Sequence, residues 1–119
     1  MATRYPLAEI HALARSGDII FANQRAERNA LELEWTMDKL VAFVCGLKAQ
    51  HHKGIRPDLS IFNGRETVDA DKYVARFNEE TMAITIDHQC CAFFVELALK
   101  MFHNGAAVLV VSLHLDMQP

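Results

Sequence analysis

The chain has 119 residues, 51% of them hydrophobic and 23% charged, with a net charge of −3. This composition suits one globular domain over residues 1–119 with a single core, excludes a disordered chain, and argues against a generally basic nucleic-acid binder. Glu96, Lys100 and His103 interrupt the longest apolar run, which falls short of the roughly 18–20 residues of a membrane span, and the N-terminus lacks a signal-peptide core, so a cytoplasmic protein without a membrane partner is expected.

PLAEIHALARSG, residues 6–17, opens with a proline tolerated in a first helical turn. It places Leu7, Ile10, Leu13 and Ala14 on one face and stops at Gly17, the pattern of an amphipathic helix. Ile19, Ile20 and Phe21 read as a short extended link. Asn23 caps a second helix through about Leu33, on which Arg25 and Arg28 share a solvated face. Trp35 precedes a third cap, Thr36, and packs as a staple at the start of MDKLVAFVCGL, whose Leu40, Phe43, Val44 and Leu47 fall on one face. From Lys48 to about Asp69 periodicity is lost, and Gly54, Pro57, Asn63 and Gly64 mark a long, mobile, charge-rich loop. Tyr73–Phe77 and Met82–Ile86 read as short strands. The class expected is α+β, three N-terminal helices packed on one face of an antiparallel sheet.

The last two apolar runs flank His103-Asn104-Gly105, and the length of that turn decides which side chains share a face. A two-residue turn of Asn104 and Gly105 would mix charge with large apolar groups on both faces. A three-residue turn sets Val95, Leu97, Leu99 and Met101 against Leu113, Val111, Leu109 and Ala107, and gathers Phe94, Glu96, Ser112 and His114 on the other face. The second register is adopted, because burying an unpaired charge costs several kcal/mol on the order-of-magnitude scale. Glu96 is then diagonal to His114 and within reach of it.

Charge is unevenly placed. Residues 48–76 carry Lys48, Lys53, Arg56, Arg65, Lys72 and Arg76 and sum to +2, whereas residues 77–119 sum to −4. A polyanion is expected to approach the middle segment. Cys45, Cys90 and Cys91 form no C-x-x-C pair and read as reduced core or strand residues. His51, His52 and His88 have no recognised metal-ligand spacing.

RYPLAEI, ARSGDI, a capped helix ending in CGL, a lysine-bearing loop, CAFFVELAL and VLVVSLHLD occur in the order of the MqsR family of mRNA interferase toxins, which the chain resembles over most of its length. The resemblance implies a RelE-like ribonuclease fold, metal-free RNA cleavage without a cofactor, mRNA as substrate and neutralisation by a cognate antitoxin. Matched by position, it puts the family's loop lysine on Lys53, with His52 where an aromatic stands, its glutamine near Lys72, its strand tyrosine on Phe94, its strand lysine on Glu96 and its final lysine on His114. The segment between Lys53 and Lys72 is longer than the family's. The expected catalytic group is therefore His114, Glu96 and Lys53, with Glu96 steering His114 as the proton-transfer residue. His52, Arg56, Lys72, Arg76 and Phe94 are expected to hold RNA, and no metal is expected. The alternative is a module of the same fold that binds a protein or RNA without cleaving it. The hydroxyl missing at Phe94 and the negative net charge favour that alternative; the polar cluster and basic segment favour the toxin.

Overall fold

A computed structural model describes residues 2–116. The elements in chain order are α1 (Leu7–Arg15), β1 (Ile19–Phe21), α2 (Gln24–Glu32), α3 (Met37–Gly46), a 3-10 turn (Ala49–His51), β2 (His52–Ile61), β3 (Glu66–Asn78), β4 (Ala83–Thr85), β5 (Ala92–Phe102) and β6 (Gly105–Leu115). The class is α+β, with three helices on a six-stranded sheet of order β1-β6-β5-β3-β2, β4 also pairing with β3. Among the described residues no helix is long and apolar enough to cross a membrane.

The helix ends follow the local signals. The Asn23 side chain accepts from the Ala26 N–H at 2.8 Å and Thr36 from the Lys39 N–H at 3.2 Å. Gly17, at φ +81°, closes α1: its N–H reaches Ala14 O, and the Asp18 N–H reaches Leu13 O. The inward faces of all three helices meet one side of the sheet. Ile10, Ala14, Ala26, Ala30, Leu40, Phe43 and Val44 join Tyr73, Phe77, Phe93, Val95, Leu97, Val108, Val110 and Leu113 in the main core. Trp35 is buried among Phe43, Phe77 and Phe93, with ring centroids 4.7–5.3 Å away.

Four expectations are corrected. The helices do not all precede the sheet, and the sheet is mixed: Ile19–Phe21 pairs in parallel with Val108–Val110, because this β-branched and aromatic triplet covers an edge that β6 would otherwise expose. Residues 48–69 are largely strand. β2 pairs with β3 from His52↔Tyr73 to Ile61↔Glu66, interrupted by irregularities at His52/Gly54 and Arg56/Leu59. An edge strand tolerates polar side chains on both faces, and its bulges hide the period-two pattern. Cys90 and Cys91 lie in the link from β4 to β5 instead of in the core or a strand, and all three cysteines are free.

The fourth correction concerns the final hairpin. Its closing pair is Phe102↔Gly105, so His103 and Asn104 form a two-residue turn followed by Gly105 at φ +130°. One step of register is then recovered by an irregularity between Glu96 and Leu97, where Val111 is the extra residue. Beyond it the expected pairs Phe94↔His114, Val95↔Leu113 and Glu96↔Ser112 are present. On the turn side Val108 and Val110, instead of Leu109 and Val111, face the helices, and Met101 is exposed. Leu109 and Val111 enter a smaller cluster on the opposite face with Ala22, Ile61, Ala70 and Ala98. The bulge thus lets both sides of one strand pair bury apolar groups. The β2–β3 hairpin supplies the cover for this second cluster: its tip reaches across to Ala22, where the Phe62 N–H bonds to Ala22 O at 3.1 Å.

Candidate functional site

The hairpin arm leaves an open groove on the outer face of the sheet. Its walls are Arg56, Leu59, Ser60, Ile61, Asn63 and Gly64 of the arm and Asn23 and Arg25 at the start of α2. Glu96, Val111 and Ser112 complete it, and the volume is about 420 Å³. Asn23 fastens the helix to the sheet: one side-chain atom caps α2, and Nδ2 donates to Val111 O at 3.0 Å.

Glu96 is 2% exposed. The irregularity after Arg56, with Pro57 on the edge strand and Asp58 at φ +56°, bends β2 so that the Arg56 guanidinium reaches this carboxylate. Arg56 Nη1 donates to Glu96 Oε1 at 3.4 Å and lies 3.2 Å from Oε2. Lys72 is directly opposite Glu96 on β3. Burial pushes the Glu96 carboxyl above its ordinary range, while Arg56, then Lys72 and His114, pull the other way. Oε2 is buried and accepts no hydrogen bond from the described residues; its approach to Arg56 lacks hydrogen-bond geometry.

His114 is exposed and stacks on Phe94, ring centroids 4.5 Å apart and planes 14° from parallel. Its Nδ1 lies 3.0 Å from Leu115 O. A carbonyl accepts only from a protonated nitrogen, so the proton sits on Nδ1 and Nε2 is the second ring nitrogen left for a ligand. The expected orientation of His114 by Glu96 is corrected: Leu115 and Phe94 hold the ring, and the hydrogen bond of Glu96 goes to Arg56.

The remaining expected residues divide. Lys72 joins the outer face with Phe94, Glu96 and His114. Lys53 is exposed, but the charges bearing on Glu96 are Arg56, Lys72 and His114, whereas Lys53 bears on His51. The Arg76 guanidinium is committed to the carbonyls of His88 and Cys90, so it ties down the link before β5. The His52 side chain is 2% exposed and turned inward, which removes it from an RNA-contacting surface; its Nε2 lies 2.8 Å from Asp71 Oδ1. Asp71, fully buried, also accepts the N–H groups of Arg4 and Tyr5 at 2.8 and 2.9 Å.

Sequence reasoning missed Asp71, Asn23 and Arg25 in these roles. Asp71 had a usable signal: it shares strand parity with Tyr73, Ala75 and Phe77, an aspartate on an otherwise apolar face. The groove's dependence on Asn23 and Arg25 had none, since α2 and β6 meet only in the folded protein.

A second, larger cleft of about 690 Å³ lies between α3, the 3-10 turn and β4, lined by Cys45, Gly46, Lys48, His51, Met82 and Ile84–Ile86 among others. Its titratable side chains are exposed or half-buried. The groove above Glu96 is the better candidate because there cations, hydroxyl and amide groups and a desolvated carboxylate converge. No protein-family model matches the chain, and neither a curated protein nor a solved structure does.

Proposed function

We propose that the protein is an RNA-cleaving toxin of a type II toxin–antitoxin pair, RelE-like in fold and cytoplasmic, acting on mRNA along the outer face of the sheet and neutralised by a cognate antitoxin protein. The observation that carries this reading is the ion pair of Arg56 with a buried carboxylate in the groove, with Lys72 and the stacked Phe94–His114 pair beside it on the same sheet face. Arg25, Arg56 and Lys72 offer cations to successive phosphates. The Phe94–His114 stack, open to solvent on its histidine side, is a platform for an unpaired base or ribose. His114, paired with Phe94 on the same sheet face as the groove, supplies a proton-transfer group. Lys53, whose charge bears on His51 and not on Glu96, is left out of the chemistry.

The test is incubation of the purified protein with a labelled single-stranded RNA in EDTA, followed by separation of fragments. Cleavage is expected, and His114→Ala should reduce it about a hundredfold, the usual scale for a general acid or base. Removing Arg56 and Lys72 together should weaken RNA binding and flatten its dependence on salt. Phe94 lacks a hydroxyl and Glu96 stands where the resemblance puts a lysine; these departures favour a second reading, a non-cleaving binding module. Intact RNA bound in a salt-dependent manner would establish that alternative. Absence of RNA binding at low salt would refute both.

A further inference from the structure

We infer that the cleft between α3, the 3-10 turn and β4 is a docking site for an extended acidic segment of another protein, which adds to the free edge of β4 as one more antiparallel strand. This inference does not rest on RNA cleavage, since the cleft shares no lining residue with the groove on the outer face of the sheet.

β2 and β4 lie end to end along one side of β3, which pairs with β5 on its other side. β2 begins at His52↔Tyr73 and β4 ends at Thr85↔Arg76, so the cleft opens where this line of strands is interrupted. The Phe77 N–H bonds to Cys91 O, on the β5 side. The pair Phe77↔Ile84 therefore exchanges no bonds, and Ile84 turns its own N–H and C=O away from β3. Among the described residues no hydrogen bond takes up either group. An unpaired strand edge of this kind is a template for another chain. Exposed apolar side chains frame it: Met82 is 37% and Ile86 is 89% exposed. Gly46 lets the edge lie close against α3, because a Cβ there would stand 2.9 Å from Ile84 Cγ1. Ile84 thus faces the helix, and Ala42 and Cys45 line the cleft beside it.

The walls set the chemistry of the occupant. A residue opposite Ile84 on the added strand presents its side chain on the same face as Ile84, toward the apolar floor, and is itself apolar. Two residues earlier, an antiparallel segment passes the Thr85 end of β4, the end nearer the 3-10 turn. Lys48 and His51 line the cleft there, and burial, then Lys48 and Lys53, hold the His51 ring below its ordinary pKa. His51 Nδ1 accepts the Lys48 N–H at 2.9 Å, so the ring proton is on Nε2, a donor. A carboxylate complements this basic wall, and the matching segment reads acidic-x-apolar-x-apolar. RNA is the poorer occupant, because exposed Glu80 and Asp87 stand before and after β4 and repel a row of phosphates. The Asp87 carboxylate is turned back to the Gln89 N–H at 2.9 Å. Two copies of this chain joined at Ile84 would bring Asp87 of each toward Glu80 of the other, so self-pairing is disfavoured as well.

The experiment titrates the whole chain, followed by amide NMR, with a blocked peptide Thr-Asp-Thr-Val-Thr-Val-Thr and with its counterpart carrying Lys in place of Asp. The largest shifts should fall on residues 82–86, with slowed exchange of the Ile84 amide. The Asp peptide should bind about fivefold tighter than the Lys peptide, the scale of one exposed ion pair, and Lys48→Glu should reverse that preference. Ile84→Pro removes the outward donor without touching a bond to β3, a place where an edge strand tolerates proline, and should abolish binding. If Ile84→Pro does not fold, the charge reversal at exposed Lys48 decides. Absence of shifts at millimolar peptide overturns the inference, as do shifts confined to the groove around Arg56, or equal affinity for the two peptides in both wild type and Lys48→Glu. Concentration-dependent shifts of residues 82–86 without peptide would identify a second copy as the occupant, and shifts of the same amides with single-stranded RNA but not with peptide would identify RNA; either result also overturns it. None of these outcomes decides whether the outer groove cleaves RNA.

Discussion

Asp71→Ala should strip the N-terminal segment from the sheet and lower stability by about 3 kcal/mol. Asp71 is 0% exposed and accepts three donors: the Arg4 and Tyr5 N–H groups and His52 Nε2. Hydrogen bonds to a charged group contribute roughly 1.5–3 kcal/mol each. The sum is reduced because the variant no longer buries a carboxylate and because two of the donors, on the exposed to half-buried stretch before α1, regain water by peeling away. Peeling has its own cost: the Tyr5 hydroxyl gives up its 2.7 Å bond to Asp69 O, and the Tyr5 ring leaves both apolar clusters. His52 cannot compensate, since its Nδ1 is already buried without a partner and its side chain stays at 2% exposure. About 3 kcal/mol is a large share of the roughly 5–15 kcal/mol expected of a domain. For a chain of this size it corresponds to a fall in Tm on the order of 10 °C. Asp71→Asn, isosteric and retaining one acceptor oxygen, should lose about half as much. Urea unfolding and calorimetry give the two values, and amide hydrogen exchange at Arg4 and Tyr5 should accelerate in Asp71→Ala. A Tm within about 2 °C of wild type, roughly half a kcal/mol, would falsify the claim that this carboxylate anchors the segment.

Two further outcomes concern buried polar groups. Glu96 has a folded-state pKa above its ordinary value of 4.5, so the native protein binds the extra proton in the window between the two. Stability from this group therefore falls as pH rises from 4.5 through the raised value and is constant above it. The stability of Glu96→Gln relative to wild type should accordingly rise as pH climbs above 4.5 and then level off; a difference that shrinks with rising pH would contradict the assignment. Tyr73 Oη is buried without a partner, and burial, then Asp71, pushes the phenol far above its ordinary range. Tyr73→Phe should thus be neutral or stabilising by up to about 1 kcal/mol, and a loss of that size in denaturant unfolding would show that the hydroxyl is bonded after all.

The parts of the fold that were legible are those decided within one or two turns of chain. Asn23 and Thr36 cap helices because their side chains reach an N–H three residues on, and Gly17 ends α1 because it adopts a left-handed conformation. The face of Leu40, Phe43, Val44 and Leu47 is buried as its spacing requires. Residues 48–69 were illegible for the opposite reason. His52–Ile61 is held by β3 through backbone bonds, which any side chain permits, and its bulges break alternation where alternation would have been sought.

For the candidate site the division runs through single residues. The pairing of Phe94 with His114 and of Glu96 with Ser112 could be read from the need to keep charge off the helix-packed face, although the means, a two-residue turn plus a bulge at Val111, could not. Sequence by itself determined the helices, the final hairpin and the outward company of Phe94, Glu96 and His114, because propensity, capping and hydrophobic alternation act over short separations. Only the tertiary structure decided that Arg56 meets Glu96, that His52 turns inward to Asp71, and that Asn23 and Arg25 border the groove. Those contacts join residues 40, 19 and 88 positions apart for the pairs Arg56–Glu96, His52–Asp71 and Asn23–Val111. Which distant groups meet is set by strand order and by the bend of one hairpin arm across the sheet, quantities that depend on how whole elements pack and that no local pattern encodes.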